Sequence, residues 1–135
     1  NKLMIVVEGK LTGKGRPRFY RGHAVTPKIT RDYEKRVVNC YLAQSGVLYE
    51  TPVRVNIIAY KKIPKSYTKK RINLIQQGIE QPVSKPDIDN ICKIILDALN
   101  GVAYKDDTQV IRLAISKKYT ESIERIEFEI KEYKI

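Results

Sequence analysis

The carboxylates best suited to holding a metal ion gather in one stretch of this 135-residue chain. Of its six aspartates, five fall between Lys85 and Val110: Asp87, Asp89, Asp97, Asp106 and Asp107. Every acid in that stretch is an aspartate, although glutamate outnumbers aspartate elsewhere. Short carboxylates collected inside a strongly basic chain point to a hard divalent cation such as Mg²⁺, which takes oxygen ligands and keeps part of its water shell. Each acid also has a plain structural role. Asp87 suits a helix N-cap, and Asp89 suits the first helical turn, where the dipole favours negative charge. Asp106 and Asp107 suit a turn before a strand. Their joint occurrence favours the cation, because carboxylates that meet without one repel each other.

The elements that must position these acids are legible. Pro86 disfavours helix at the residue before it, and the apolar spacing predicts a helix over 88–99. Ile88, Ile91, Cys92, Ile95, Ala98 and Leu99 form its apolar stripe, with Asn90, Lys93, Asp97 and Asn100 on the other side. Asn100-Gly101 supplies the stop, since either residue adopts the left-handed C-cap conformation. From Asp89 to Leu99 such a helix rises roughly 15 Å. The residues Asn100 to Asp106 reach about 23 Å if extended. A return leg antiparallel to the helix is therefore expected to bring Asp106 and Asp107 back beside Asp87 and Asp89.

The succession PDIDN, Lys93, LDALNG and KDDTQV resembles the signature of the RusA family of Holliday junction resolvases, over a stretch of 26 residues. A D-x-D pair alone is a weak signal; D-x-D-N with a following lysine and a distant D-D-x-Q is much stronger. The resemblance implies a Mg²⁺-dependent endodeoxyribonuclease that acts as a homodimer on four-way DNA junctions in recombination and repair, by paired symmetric nicks. A two-fold dimer presents two equivalent sites to the two related strands. The resemblance also implies Asp87, Asp89, Asp107 and Lys93 as the catalytic set. The three acids are then metal ligands, with Asp106 a weaker candidate that is either a ligand or a turn residue. Lys93 either stabilises charge on the phosphate and orients water or pairs with Asp89 or Asp97. Asp97 also matches, and its place in the helix suits a structural ion pair. Two other functions stay open: a non-catalytic basic nucleic-acid-binding module, and a metal-dependent nuclease acting on flaps or RNA.

Charge supports a polyanionic partner. The net charge is +11 and the pI near 9.7, which favours nucleic acid. The cations are clustered. Between Glu8 and Asp32 there are seven Lys or Arg residues and no acid, and from Lys61 to Arg71 there are six, again with no acid. The DNA-binding candidates are Lys14, Arg16, Arg18 and Arg21 in the first cluster, and Lys61, Lys62, Lys65, Lys69, Lys70 and Arg71 in the second. Phe19 and Tyr20 lie within the first cluster; they either stack on an exposed base or anchor a long loop to the core. His23, the only histidine, is available to touch phosphate or carry a proton, although a lone loop histidine more often does neither. Cys40 and Cys92 lack zinc-site spacing and read as small core residues. No apolar run is long enough to span a membrane, and no signal peptide is visible. A cytoplasmic, reducing compartment fits, in a protein of bacterial or phage type.

Along the chain, a strand is predicted over 2–9, then a Gly- and Arg-rich loop over 10–28. A helix follows over 30–44, capped by Thr30, with Tyr33, Val37, Cys40 or Tyr41 and Gln44 on one face. Thr51 to Lys61 alternates as a strand with Val53, Val55 and Ile57 on one side. A short basic helix over 64–77, capped by Ser66, leads through a linker to the acidic stretch. Two strands over 108–119 and 121–130 are expected to form an antiparallel hairpin, with Glu124, Glu127 and Glu129 on a solvated face. The sum is one α+β domain: a small two-layer arrangement with a mixed sheet and helices packed on it.

Overall fold

Alternation along the strand Val53–Lys62 sets the architecture. Val53, Val55, Ile57 and Ala59 are buried, while Arg54, Asn56, Ile58 and Tyr60 between them are half-buried. One face of the strand therefore meets helices and the other carries polar groups. The computed structural model describes residues 4–134. In chain order the elements are β1 (Ile5–Glu8), β2 (Arg18–Tyr20), β3 (His23–Val25), α1 (Lys28–Gln44), β4 (Val53–Lys62), α2 (Lys69–Gln76), α3 (Ile88–Leu99), a single 3-10 turn (Asp107–Gln109), β5 (Val110–Thr120) and β6 (Arg125–Glu132). Part of the predicted first strand lies outside the described residues.

The mixed sheet expected from the sequence is present, with strand order β1-β6-β4-β5. β4 and β5 run parallel, and β6 is antiparallel to both β1 and β4. Ile91, Ile94, Ile95 and Leu99 of α3 join Tyr33, Val37 and Tyr41 of α1, together with Ile57 and Phe128 of the sheet, in one buried cluster. The Tyr41 and Phe128 rings stack with centroids 6.3 Å apart. Truncating a fully buried member such as Ile95 to Ala would cost about 2–5 kcal/mol.

Four expectations are corrected. The predicted hairpin of the last two strands does not exist, because β4 lies between β5 and β6. The two are separated by about 10 Å, two strand spacings, a gap that residues 121–124 cross at the end of β4. The acids of this region are consequently not a solvated face. β6 is an inner strand, so its neighbours' side chains cover it: Glu129 is 2 % exposed and faces Arg54 at 3.4 Å, and Glu127 accepts from Arg125 at 2.6 Å. The Glu124 carboxylate accepts from the backbone N–H groups of Leu11 and Lys62. Thr30 is not a cap; α1 starts two residues earlier and Thr30 is buried. The basic helix is shorter than predicted and is capped by Thr68, whose Oγ1 accepts from the Arg71 N–H, not by Ser66.

Cys40 and Cys92 are only partly buried and are unpaired. The two sheet edges differ. Gln44 covers β1, donating to the Val6 carbonyl and accepting from the Val6 N–H at 2.9 Å each. Among the described residues the outer edge of β5 has no neighbouring strand, and Ile111, Arg112, Leu113 and Ala114 are all exposed there.

Candidate active site

The helix that carries the first acids has the predicted bounds, 88–99. Asp87 caps it, its Oδ1 accepting from the Asn90 N–H at 2.9 Å. That leaves its second oxygen clear of the cap. Asp89 stands in the first turn, and its Oδ2 is 3.2 Å from the Lys93 Nζ across one helical turn. Asp87, Asp89 and Lys93 are all exposed. The acids are thus held by the start of an amphipathic helix whose other side is locked into the core.

The glycine-rich basic loop docks directly on this helix start. The Lys14 N–H donates to the Asn90 carbonyl at 2.9 Å. A Cβ on Gly13 would lie 3.0 Å from the Cβ atoms of both Pro86 and Asn90. Only a residue without a side chain lets the backbone come this close. Lys14 then turns inward, its Nζ 2.7 Å from Glu34 Oε2 and 3.1 Å from Asp97 Oδ2. Burial pulls the Lys14 pKa down, but the hydrogen bonds to Glu34 and Asp97 outweigh it and the net direction is up. Asp97 is therefore in an ion pair, as its helical position suggested, and Lys14 is a brace with two carboxylate partners already in place.

On the other side of the site, Asp106 and Asp107 sit on a loop that is tied down at many points. Gln109 makes four hydrogen bonds. Its Oε1 accepts from the N–H groups of Lys105 and Asp106, at 2.8 and 3.1 Å. Its Nε2 donates to the carbonyls of Tyr49 and Thr51, at 3.0 and 2.9 Å. Asp106 Oδ2 accepts from the Thr108 hydroxyl at 2.6 Å. Tyr104, fully buried, donates its hydroxyl to the Leu96 carbonyl at 2.6 Å. Burial, and then the nearby charges of Asp107 and Asp97, push the Tyr104 pKa well up. The fields of the acidic loop and of the mid-helix acid thus converge on one buried phenol.

The expected closure of all the acids into one cage is not found. Among the described residues, no group of three or more His, Cys, Asp or Glu side chains is close enough to hold a metal ion. The return leg is shorter than its residue count suggests. A tight turn bridges Asn100 to Tyr104, with the Gly101 N–H on the Tyr104 carbonyl, so the residues of that turn add little reach. The donors nonetheless fit a hard divalent cation in type, being aspartate oxygens open to solvent at Asp87, Asp89 and Asp106. Mg²⁺ usually takes one or two carboxylates, several waters and substrate phosphates rather than an all-protein cage.

The other candidates fall into two groups. Arg16, Arg18 and Arg21 are exposed; the loop expected over 10–28 contains the two-stranded ribbon β2–β3, which carries Arg18 and Arg21 and begins just after Arg16. Phe19 and Tyr20 are 80 % and 64 % exposed, so they do not anchor this segment to the core. His23 is exposed at the ribbon tip, opposite Tyr20. In the second cluster, Lys62, Lys65, Lys69 and Lys70 are exposed. Lys61 faces Glu124 at 3.9 Å. Arg71 is engaged twice, by Glu80 at 2.8 Å and by the Tyr67 ring 3.5 Å away. Tyr104, Glu34 and Gly13 were not singled out from sequence, and Gln109 entered only as the last residue of the D-D-x-Q signature, without a role. For Gln109 the signal was there, in the acid-x-x-Gln spacing of a capping box, which Asp106 and Gln109 form.

Comparison with known proteins decides the family. The family model described as Endodeoxyribonuclease RusA matches residues 8–131. The chain belongs to the RusA family. The matched segment contains every acid and every cation discussed above, so the RusA assignment rests on the whole domain rather than on the acidic stretch alone. A protein of Bacillus subtilis (strain 168), "Uncharacterized protein YqaN", is 34 % identical over 138 residues, spanning 96 % of this chain and 96 % of that protein. Family membership assigns the chain to a group of endodeoxyribonucleases. Among the described residues no helix is long and apolar enough to cross a membrane.

Proposed function

We propose that this chain is a Mg²⁺-dependent endodeoxyribonuclease that resolves four-way DNA junctions by nicking two symmetry-related strands as a homodimer. The observation that carries the reading is the docking of the basic loop on the first turn of α3, where the Lys14 N–H meets the Asn90 carbonyl. It sets Asp87 and Asp89 at the root of a loop and ribbon that carry Arg16, Arg18 and Arg21. A substrate gripped by those arginines lies beside the acids.

In this reading one or two of Asp87, Asp89 and Asp107 would ligate the ion directly, with water and substrate phosphate completing its shell and Asp106 in support. A bound divalent ion supplies Lewis-acid polarisation of a phosphate and a more acidic water. Lys93 keeps Asp89 in place through their contact and is free at its solvent side to meet phosphate oxygen. Gln109 fixes the backbone that presents Asp106 and Asp107. Arg16, Arg18, Arg21, Lys62, Lys65, Lys69 and Lys70 take flanking phosphates, whereas Lys14, Lys61 and Arg71 are assigned to holding the fold. The open edge of β5 supports the dimer: a long edge strand with exposed Ile111 and Leu113 is a pairing template, and a second copy of the same strand is its simplest cover.

The test is a panel of labelled four-way junction, duplex, flap and RNA, each with Mg²⁺ and with EDTA. Mg²⁺-dependent paired nicks in the junction alone are expected, and Asp89→Asn should abolish them while junction binding persists or tightens. Full cleavage by Asp89→Asn at saturating Mg²⁺ would remove the assignment, and equal cleavage of flap or RNA would redirect it. Sedimentation of the free protein should give a dimer, and Leu113→Lys a monomer.

A further inference from the structure

The ribbon β2–β3 has two unlike faces. Its register pairs Arg18 with Val25, Phe19 with Ala24 and Tyr20 with His23. Side chains alternate along a strand, so Phe19 and Ala24 share one face, and Arg18, Tyr20, His23 and Val25 share the other. The tip residues Arg21 and Gly22 both have positive φ, 50° and 80°, the turn geometry that matches hairpin twist. No strand of the main sheet bonds to the ribbon. Phe19 therefore projects a bare ring, 80 % exposed, over the smallest available cross-strand neighbour.

The opposite face runs down into a hollow of about 370 Å³ at the ribbon's root. Arg18, Lys28 and Arg31 line it together with Val25 and Ile29. Ile29 is 73 % exposed. Lys28 has Asp32 at 3.2 Å as a partner. The hollow thus combines cations with an apolar wall, the pairing of features that suits a nucleotide with its phosphate. One side of the ribbon offers a stacking surface and the other a place for a single strand.

We infer that the ribbon is a strand-separating wedge for branched DNA. Phe19 stacks on the last base pair of an arm at the branch point. The hollow on the other face receives the departing strand, a base against Val25 and Ile29 and its phosphate between Arg18 and Arg31. This rests on the branched-DNA reading above and names the element that would recognise the branch. Stacking on an aromatic ring is sequence-tolerant, because every base has a π face. A continuous duplex has no vacant stacking face in its interior, whereas a branch point does, so the contact discriminates by structure.

The test uses the full chain in EDTA, which prevents cleavage, with 2-aminopurine placed either at the branch point as the base of the departing strand, which brightens when it leaves the stack, or in mid-arm of a four-way junction. Anisotropy in the same samples reports binding. The wild type should brighten the branch-point probe and leave the mid-arm probe unchanged. Phe19→Ala should lose most of that brightening, and its affinity for junction relative to duplex should fall by about fivefold to a hundredfold. Phe19→Trp should restore both. Because Phe19 is exposed, its variants should melt with the wild type, which keeps the comparison free of folding effects. Branch-point brightening by Phe19→Ala equal to wild type, with junction preference intact, would overturn the wedge and leave the nuclease reading standing. Loss of any junction preference in the wild type would overturn both.

Discussion

The acidic loop Lys105–Gln109 and the basic ribbon over 18–25 are both polar segments rooted near α3, and they are built in opposite ways. The loop is stapled by four hydrogen bonds from one carboxamide and leans on a buried tyrosine. The ribbon has its own short ladder and a docked root. The two carry opposite charge, and they differ in anchoring: Asp107 and Gln109 are half-buried, whereas every residue of the ribbon is exposed. Groups that hold an ion and a reacting phosphate work only within a few tenths of an ångström of their correct position. Groups that gather a long polyanion gain from reach.

The contrast can be broken first at the acids themselves. Asp107→Asn should lower single-turnover junction cleavage by about a hundredfold or more, with junction affinity unchanged; normal cleavage would mean that the stapled loop has no part in the chemistry. Next comes the staple. Gln109→Leu leaves every acid in place but frees their backbone, and misplacement on the ångström scale can cost about a hundredfold in rate. Cleavage should fall by at least tenfold on the same estimate, and a rate equal to wild type would show that the four hydrogen bonds serve the fold alone.

On the ribbon side, Arg16→Ala, Arg18→Ala and Arg21→Ala combined should weaken binding to every DNA form. The slope of log affinity against log salt should flatten by roughly 0.9 for each duplex phosphate that the variant no longer neutralises. An unchanged slope would shift the electrostatic footprint to Lys62, Lys65, Lys69 and Lys70. The smallest effect is expected where the two regions meet. Lys14→Met removes the hydrogen bonds to Glu34 and Asp97 and should cost about 1–3 kcal/mol of stability, with little change in salt slope. The Lys14 pKa is raised in the folded state, so this contribution is complete below the ordinary lysine value of 10.5 and fades as pH rises through the raised one. Chemical denaturation of the two proteins at neutral and strongly alkaline pH should therefore show a gap that narrows only at the alkaline end.

The helix that carries the first candidate acids could be read in advance, and the reason is locality. The bounds of α3 follow from a proline-aspartate start, an apolar stripe and an asparagine-glycine stop, all within the segment itself. The same holds for the alternation of β4, whose predicted face is the buried one. What failed was non-local. Nothing in residues 108–130 says that an earlier strand will slip between β5 and β6, so an adjacent pair of strands looked like a hairpin. The buried Glu129 escaped for the same reason, since its cover comes from neighbours fixed only by strand order. The incomplete acid cage failed through a local turn, Asn100 to Tyr104, that shortens a leg assumed extended. Lys14 looked like one cation among several until the fold placed Glu34 and Asp97 around it.

The ribbon also defines where the chain is easiest to cut. Arg18 and Arg21 are exposed on a projecting hairpin, the kind of site at which proteolysis concentrates. A trypsin cut after Arg21 would open only the turn. One half would stay rooted through the docked loop and the other through α1, so the nicked domain should keep its fold in two non-covalently joined pieces. DNA lying across the hairpin would shield that bond, and the rate of the first nick becomes a footprint of the substrate that needs no label on either molecule.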